Sequence, residues 1–444
     1  MRRVLIPNRG EIAVRIVDAC RTRDLECVVG ASEADLHGMA ARMADRVVCL
    51  GPGPARDSYL RPDIVVQAAL GTGCDTIHPG YGFLSENPRL ASLARENGLT
   101  FVGPPVSAIE LAGDKLAARS AAQRAGVPVL PGGEAPTPQR ARELATEIGY
   151  PVLVKAAGGG GGRGIKRVDD ESQLDALLSL ARQEAGAAFA DDRVYLERLV
   201  TPARHVEVQI AADVHGNTVH LGERDCSVQR RYQKVVEEAP APALPPQTRT
   251  TLLDSAIALA AELGYRNLGT VEFVVDPQTG EPFFLEVNCR IQVEHPVTEA
   301  VCDRDLVVLQ LRIADGQRLG FSQDEVRFSG HAIECRLNAE DPTRAFAPSP
   351  GTLELFSVPE RSGLRVDTYC APGAAIPPYY DSLMAKLIAH GENRDEAIRL
   401  LLDALADTDV EGVETNRTLL IDVLAHPDFQ AARVTTNWLE RLLQ

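Results

Sequence analysis

The sequence predicts a multidomain protein of the α/β and α+β classes, with a Rossmann-like parallel sheet first, a small lid next and a mixed β-sheet region last. Three observations predict it. From Val4 to Pro104, short apolar strands alternate with helical stretches, the pattern of a parallel sheet covered by helices on both faces. From about residue 200, segments such as HVEVQI, TVEFVV and FFLEVNCRIQVEH alternate apolar with polar residues, as strands with one buried face do. And 444 residues are more than one ordinary core serves.

The elements follow in order. VLIP at 4–7 is the first strand, and Asn8-Arg9-Gly10-Glu11 turns from it into a helix through IAVRIVDAC. Backbone N–H groups at such a turn can meet a ligand, although the GxGxxG spacing of a dinucleotide fold is missing. ECVVGA, DRVVCL, DTIHPG and TFVGP supply further strands. A helical run from Val106 to Ala125 leads to Gly126-Val127-Pro128, and Pro131-Gly132-Gly133 interrupts the pattern. We therefore expect an N-terminal domain over 1–112, a helical linker over 113–129, a lid over 130–200 and a core with the C-terminal region over 201–444. The lid holds PVLVK, a glycine-rich loop, GIKRV, a helical stretch and VYLERLV.

Composition removes several function classes. The nine cysteines are scattered singly without a CxxC pair, so neither a disulfide framework nor a zinc site is indicated. A net charge of −16 offers no overall basic face to nucleic acid. Anionic ligands must then be held by local clusters, because charges beyond about 8 Å are largely screened at physiological salt. The sequence contains no uncharged apolar run of about 18 residues or more, and Asn8, Arg9 and Glu11 interrupt any secretory signal. A cytoplasmic protein without membrane contact is expected. GxSxG and HExxH are both absent, which removes support for the hydrolase chemistries they mark.

Two stretches carry chemistry. Gly158 to Gly162, Arg163 and Gly164 lie between PVLVK and GIKRV, with Lys155 at the end of the first. One reading is a flexible linker; the other is a hairpin tip whose backbone N–H groups close over phosphate oxygens, with Lys155 and Arg163 adding charge. Ile165 after Gly164 excludes a Walker A loop. The second stretch runs from Glu286 to Glu294. As an extended strand it places Glu286, Asn288, Arg290, Gln292 and Glu294 on one face, with Val287, Ile291 and Val293 on the other. One reading is an amphipathic strand with a wet face. Against it stands Glu272 inside the apolar strand Thr270–Val275, a carboxylate that is costly there unless compensated, as magnesium held by Glu272, Glu286 and Asn288 would compensate it. Lys234, Arg290 and Arg336 could join them as an anion pocket, or could be unrelated surface residues.

At this point the motifs become recognisable. NRGEIAVRI (8–16), HPGYGFLSEN (78–87), KAAGGGGGRGIK (155–166), RHVEVQI (204–210), ERDCSVQRR (223–231), QKVVEEAPAP (233–242), EVNCRIQVEHPVTE (286–299) and PPYYDSLMAKL (377–387) resemble the biotin carboxylase family of ATP-grasp enzymes along the whole chain. The resemblance implies ATP and Mg2+ as cofactors, two ions with manganese as an alternative, and biotin as a carrier-bound substrate. It implies that Lys115, Lys155 and the glycines Gly160, Gly161, Gly162 and Gly164 contact ATP phosphates. Glu197, Leu199, His205 and Gln229 match residues around the adenosine, Arg198 and Tyr232 occupy further nucleotide-binding positions there, and Glu272, Glu286 and Asn288 match the magnesium ligands. Lys234, Arg290, Gln292, Val293 and Glu294 match the bicarbonate site, with Glu294 as general base. Arg336 matches the arginine that stabilises the biotin enolate, and Tyr81 and Asp381 match residues near the biotin end. Arg198 stands where lysine is common, Tyr232 where histidine is frequent and Cys289 where threonine is; these departures bear on nucleotide affinity.

The implied reaction makes carboxyphosphate from bicarbonate and ATP and then carboxylates biotin N1′. The sequence lacks a Met-Lys-Met type biotinyl motif, so the biotin is expected on a separate carboxyl carrier protein, with carboxyltransferase subunits and a homodimeric state completing an acetyl-CoA or other acyl-CoA carboxylase. Alternatives are the corresponding subunit of a pyruvate carboxylase, another ATP-grasp ligase joining a carboxylate to an amine, and a catalytically silent nucleotide-binding scaffold.

Overall fold

The computed structural model describes residues 1–158, 165–189 and 191–444. Near the N-terminus, β1 (Arg3–Ile6), β2 (Glu26–Ser32), β3 (Arg46–Gly51), β4 (Thr76–Ile77) and β5 (Thr100–Phe101) form a parallel sheet in the order β3-β2-β1-β4-β5. The helix Gly10–Thr22 follows β1 directly and buries Ile12, Ile16, Ala19 and Cys20 along one stripe, the spacing of an amphipathic helix. These side chains share a core with Leu221, Leu268, Leu306 and Leu309 from later in the chain, which couples the first sheet to the large one. Burying Ile16 contributes about 1.5–3 kcal/mol, and Ile16→Ala would cost about 2–5 kcal/mol.

The expected helix from Val106 to Ala125 is two helices, Val106–Gly113 and Lys115–Arg124. Asp114 divides them: its backbone is extended, and its Oδ1 accepts from the N–H groups of Leu116 and Ala117 at 3.0 Å each. A short acidic side chain competes with helical hydrogen bonding and serves better as a cap. The break sets Lys115 at a helix start, its own N–H donating to Ala157 O at 3.0 Å.

A four-stranded antiparallel sheet follows, with β6 (Gly132–Glu134), β7 (Val152–Ala156), β8 (Lys166–Val168) and β9 (Val194–Arg198) in the order β6-β9-β7-β8. Helices Pro138–Ile148 and Glu171–Phe189 cover it, and Leu144, Val154, Leu174, Leu178 and Leu196 form its core. A Cβ at position 132 would collide with the Leu196 carbonyl oxygen, so the strand contact requires glycine there. The residues expected to form the glycine-rich tip, Gly160, Gly161, Gly162 and Gly164, lie outside the described residues.

The largest sheet has eight strands. β10 (Arg204–Ala212), β11 (Thr218–Arg230), β12 (Gln233–Ala239), β13 (Asn267–Val275), β14 (Pro282–Asn288) and β15 (His331–Asn338) are joined by Leu383–Gly391 and Leu364–Thr368. The order is β14-β13-β10-β11-β12-β15, then Leu383–Gly391, then Leu364–Thr368. Each of these neighbours pairs antiparallel. Among the described residues the mixed character expected of it comes down to one isolated parallel bridge, Val129 to Phe284. Short turns between successive strands favour antiparallel pairing. The β11–β12 turn is Arg231-Tyr232, with φ of 51° and 65°, as a two-residue hairpin requires.

Candidate active site

Sheet register brings three acids into one row. Glu207 on β10 lies opposite Glu272 on β13, and Glu272 lies opposite Glu286 on β14. Directly opposed side chains share a face with Cβ atoms about 4.5–5.5 Å apart, so three carboxylates stand abreast, Glu207 and Glu272 buried and Glu286 half-buried. Such a row needs cations. Lys234 Nζ lies 2.6 Å from Glu207, 3.0 Å from Glu272 and 2.6 Å from Glu294. Arg224, fully buried, donates from Nε to Glu207 at 2.6 Å and through its other nitrogens to Gln209, Thr298 and Thr270. His205 Nε2 approaches Glu272 at 3.1 Å, and Gln229 bonds the other ring nitrogen at 3.0 Å.

The stretch after β14 corrects one expectation. The strand stops at Asn288, and residues 289–294 turn into the helix His295–Cys302 rather than continuing as ribbon. Two features end it. The Cys289 N–H donates to Glu86 at 2.8 Å instead of a neighbouring strand, and Pro296 sits in the first turn of the helix, where its fixed φ favours a start. The side chains converge nonetheless. Arg290 donates to Asn288 Oδ1 at 3.0 Å and to Gln292 Oε1 at 2.7 Å, while Asn288 and Gln292 both donate to Glu272 Oε1, at 2.9 and 3.1 Å. Glu294, with no solvent exposure, meets Lys234 on one oxygen and Arg336 on the other, at 2.6 and 2.9 Å. Val293 contributes its carbonyl oxygen, which accepts from Lys386 at 2.9 Å.

A second cluster lies beside the first. Lys155 Nζ is 2.5 Å from one oxygen of Glu197, and Arg119 is 3.1 Å from the other. Lys115 faces Glu286 and Glu197 without a side-chain hydrogen bond among the described residues. Tyr81 and Asp381 line one small cavity of about 90 Å³ with Glu11 and Gly82, and Tyr81 Oη donates to Glu11, which Lys386 meets at 3.2 Å. Arg198 and Tyr232 stand apart: both are exposed, Tyr232 at 68%. Leu199 connects to the rest through a backbone bond to Pro151.

Charge follows geometry. Burial would raise the Glu272 carboxyl, but Lys234 and His205 outweigh it and hold it below the usual range. Burial likewise loses to Lys234 and Arg336 at Glu294, whose carboxyl lies well below that range. At Glu286 burial and the neighbouring Glu272 prevail over Lys115, and its pKa rises. Burial lowers the Lys115 ammonium, whereas Glu207, Glu272 and Glu294 overcome burial and push Lys234 well up.

Two triads place candidate metal-ligand atoms within 4.8 Å of one another, His205-Glu207-Glu272 and Glu207-Cys226-Glu294. All three of their carboxylates bond Lys234 Nζ, so an ammonium already holds the cation position. Glu286 differs, having no hydrogen-bond partner among the described residues and a second carboxylate directly opposite. Glu272, Glu286 and the Asn288 amide make an oxygen donor set that fits magnesium. Sequence reasoning missed Glu207, Arg224, Arg119 and Glu86. For Glu207 the signal existed: like Glu272, it is a charge inside an apolar strand, HVEVQI.

Comparison with known proteins covers the whole arrangement. Residues 1–109 match the biotin carboxylase N-terminal domain, 114–322 the carbamoyl-phosphate synthase L chain ATP-binding domain, and 334–441 the biotin carboxylase C-terminal domain. Biotin carboxylase 1 of Bacillus subtilis is 47% identical over 99% of this chain and 98% of its own. The Pseudomonas aeruginosa biotin carboxylase is also 47% identical, over 100% and 99%. The chain belongs to the biotin carboxylase family. The biotin carboxylase domain of Hydrogenobacter thermophilus 2-oxoglutarate carboxylase, solved as a dimer with MgADP, ADP and bicarbonate, superposes at a TM-score of 0.96 with 44% identity, covering 99% of this chain and 97% of that one. Campylobacter jejuni biotin carboxylase in a nucleotide complex gives 0.96 at 40% identity, covering 99% and 98%. The N-terminal parallel sheet adjoins antiparallel sheets in an ATP-grasp architecture, which superposes on these two neighbours. No described helix of this biotin carboxylase is long and apolar enough to cross a membrane.

Proposed function

We propose that this biotin carboxylase consumes ATP and bicarbonate to carboxylate N1′ of biotin presented by a separate carrier protein. The observation that carries the residue assignment is Glu294, buried between Lys234 and Arg336 at 2.6 and 2.9 Å. Bicarbonate entering this pocket competes for the same two cations. Each hydrogen bond it takes from Glu294 raises that carboxylate's basicity toward what a general base needs. Glu294 then removes the bicarbonate proton, and the oxygen so freed attacks the γ-phosphate of ATP, releasing ADP and forming carboxyphosphate.

Lys115 and Lys155 neutralise charge that develops on the phosphates. Glu272, Glu286 and Asn288 would hold magnesium, which would add charge neutralisation for the nucleotide. Arg290 and Gln292, tied to each other at 2.7 Å, orient the bicarbonate with Lys234. Carboxyphosphate collapses to carbon dioxide and phosphate, phosphate takes the N1′ proton, and Arg336 steadies the biotin enolate while its N1′ attacks the carbon dioxide to give carboxybiotin. Glu197, Arg198, Leu199, His205, Gln229 and Tyr232 surround the adenosine in this reading, and Tyr81 and Asp381 face the biotin end. The unit over 130–200 closes as a lid that excludes water. Homodimer formation, as in the H. thermophilus relative, and transfer of the carboxyl group to an acyl-CoA by carboxyltransferase subunits complete the proposal.

The test uses purified protein, ATP, magnesium, labelled bicarbonate and free biotin. Label should appear in acid-labile carboxybiotin, and biotin should stimulate ADP release. Label transferred to an amine acceptor instead would favour the other ATP-grasp ligases, and no bicarbonate-stimulated ADP release would favour a silent scaffold.

A further inference from the structure

Behind Arg336, two acids face one another without hydrogen-bond partners among the described residues. β12 and β15 pair antiparallel with Glu237 directly opposite Glu334, so the two carboxyl groups share one face of the sheet. Both residues are fully buried, and among the described residues none of their four carboxyl oxygens has a hydrogen-bond partner. Arg336 NH2 comes to 2.5 Å from Glu237 Oε1, an ionic contact without hydrogen-bond alignment, and Arg336 Nε is itself buried and without a hydrogen-bond partner among the described residues.

The surroundings hold too little positive charge for two anions. Glu334 faces Lys386 from the adjacent strand and Arg336 from its own, with Glu237 and Glu294 adding negative charge. Glu237 faces Arg336 and Lys234 against Glu294. Lys386 is committed to Glu11 at 3.2 Å and to the Val293 carbonyl. From the helix over this face comes His295, which burial, Lys386 and Arg15 keep neutral. Burial raises both acids, Glu237 to about 7 and Glu334 well above the usual range, against the pull of Arg336 and Lys386. Retaining one proton is less costly there than ionising both groups.

We propose that Glu334 and Glu237 share a single proton, as a carboxyl–carboxylate pair whose one negative charge positions Arg336 for the biotin half of the reaction. The O–H of Glu334 donates to Glu237, and the ionised oxygen of Glu237 holds the Arg336 NH2 that also reaches Glu294. A doubly ionised pair would draw Arg336 away from Glu294, and a neutral pair would release it onto Glu294. One proton keeps the guanidinium between them. Glu237 and Glu334 are positioning residues that act through Arg336, and the idea rests on reading Arg336 as the biotin contact.

Infrared spectra of the full-length enzyme at neutral pH test the proton without reference to activity. Wild type should show a protonated-carboxyl C=O band that shifts in D2O and disappears in Glu334→Gln; no such difference overturns the shared proton. Kinetics test the positioning role. Gln at 334 still donates to Glu237, so E334Q should keep kcat/KM for biotin within about threefold of wild type, whereas Glu334→Leu should lose at least about tenfold with the KM for ATP unchanged. Equal losses in the two variants overturn the positioning role even with the band present, and Arg336→Ala separately tests the assignment of Arg336.

Discussion

Lys234 Nζ lies 2.6 Å from Glu294 Oε1, so the residue proposed as base and a residue proposed to bind its substrate neutralise each other until an anion arrives. The arrangement keeps a buried carboxylate ionised, because Lys234 and Arg336 offset its burial. It also links basicity to occupancy, because the substrate loosens the bonds that weaken the base.

Replacing Glu294 by Gln leaves the pocket's shape and removes the proposed base. Bicarbonate-dependent ATP hydrolysis should fall by more than about a hundredfold, while nucleotide affinity measured by calorimetry stays near wild type. Turnover at the wild-type rate would remove Glu294 from the mechanism.

Arg336 touches Glu294 but is assigned to the enolate. Arg336→Ala should therefore lower biotin carboxylation by about a hundredfold and bicarbonate-dependent ATP cleavage by less than about tenfold. Parallel loss of the two activities would contradict that division.

Glu197 joins Lys155 at 2.5 Å and Arg119 at 3.1 Å, and all three are buried. Glu197→Ala leaves two buried cations without the carboxylate that pairs them and should cost about 3–5 kcal/mol. Denaturant unfolding measures it; a loss under about 1 kcal/mol would mean that water reaches both cations.

His78 is fully buried, and the Gly80 N–H donates to its Nδ1 at 3.2 Å, a bond that requires an unprotonated nitrogen. Burial, helped by Arg15, lowers its pKa from 6.5 to about 3. The folded value is depressed, so the unfolded chain takes up the proton first. Stability present above pH 6.5 is then lost as pH falls toward about 3, at up to about 1.4 kcal/mol per pH unit from this group. His78→Asn keeps an acceptor near Gly80 and should flatten the acid limb of a stability-against-pH curve. An unchanged slope would show that His78 does not titrate in this window.

The sequence alone determined a good deal. Apolar runs separated by helical stretches fixed the parallel N-terminal sheet, because that pattern reports which faces are buried whatever the pairing partner. Glu272 was legible as a charge in need of partners because a carboxylate inside TVEFVV needs compensation wherever the strand lies. The motif strings carried the family. Tertiary structure decided the rest. The end of β14 at Asn288 depended on Glu86, 203 residues away, taking the Cys289 N–H. The row Glu207-Glu272-Glu286 came from the register of three strands, and the meeting of Lys234 with Glu294 came from segments 60 residues apart. Side-chain periodicity is a local property, readable over a few residues. Which charges neutralise one another depends on how distant strands align, and only the folded chain sets that alignment.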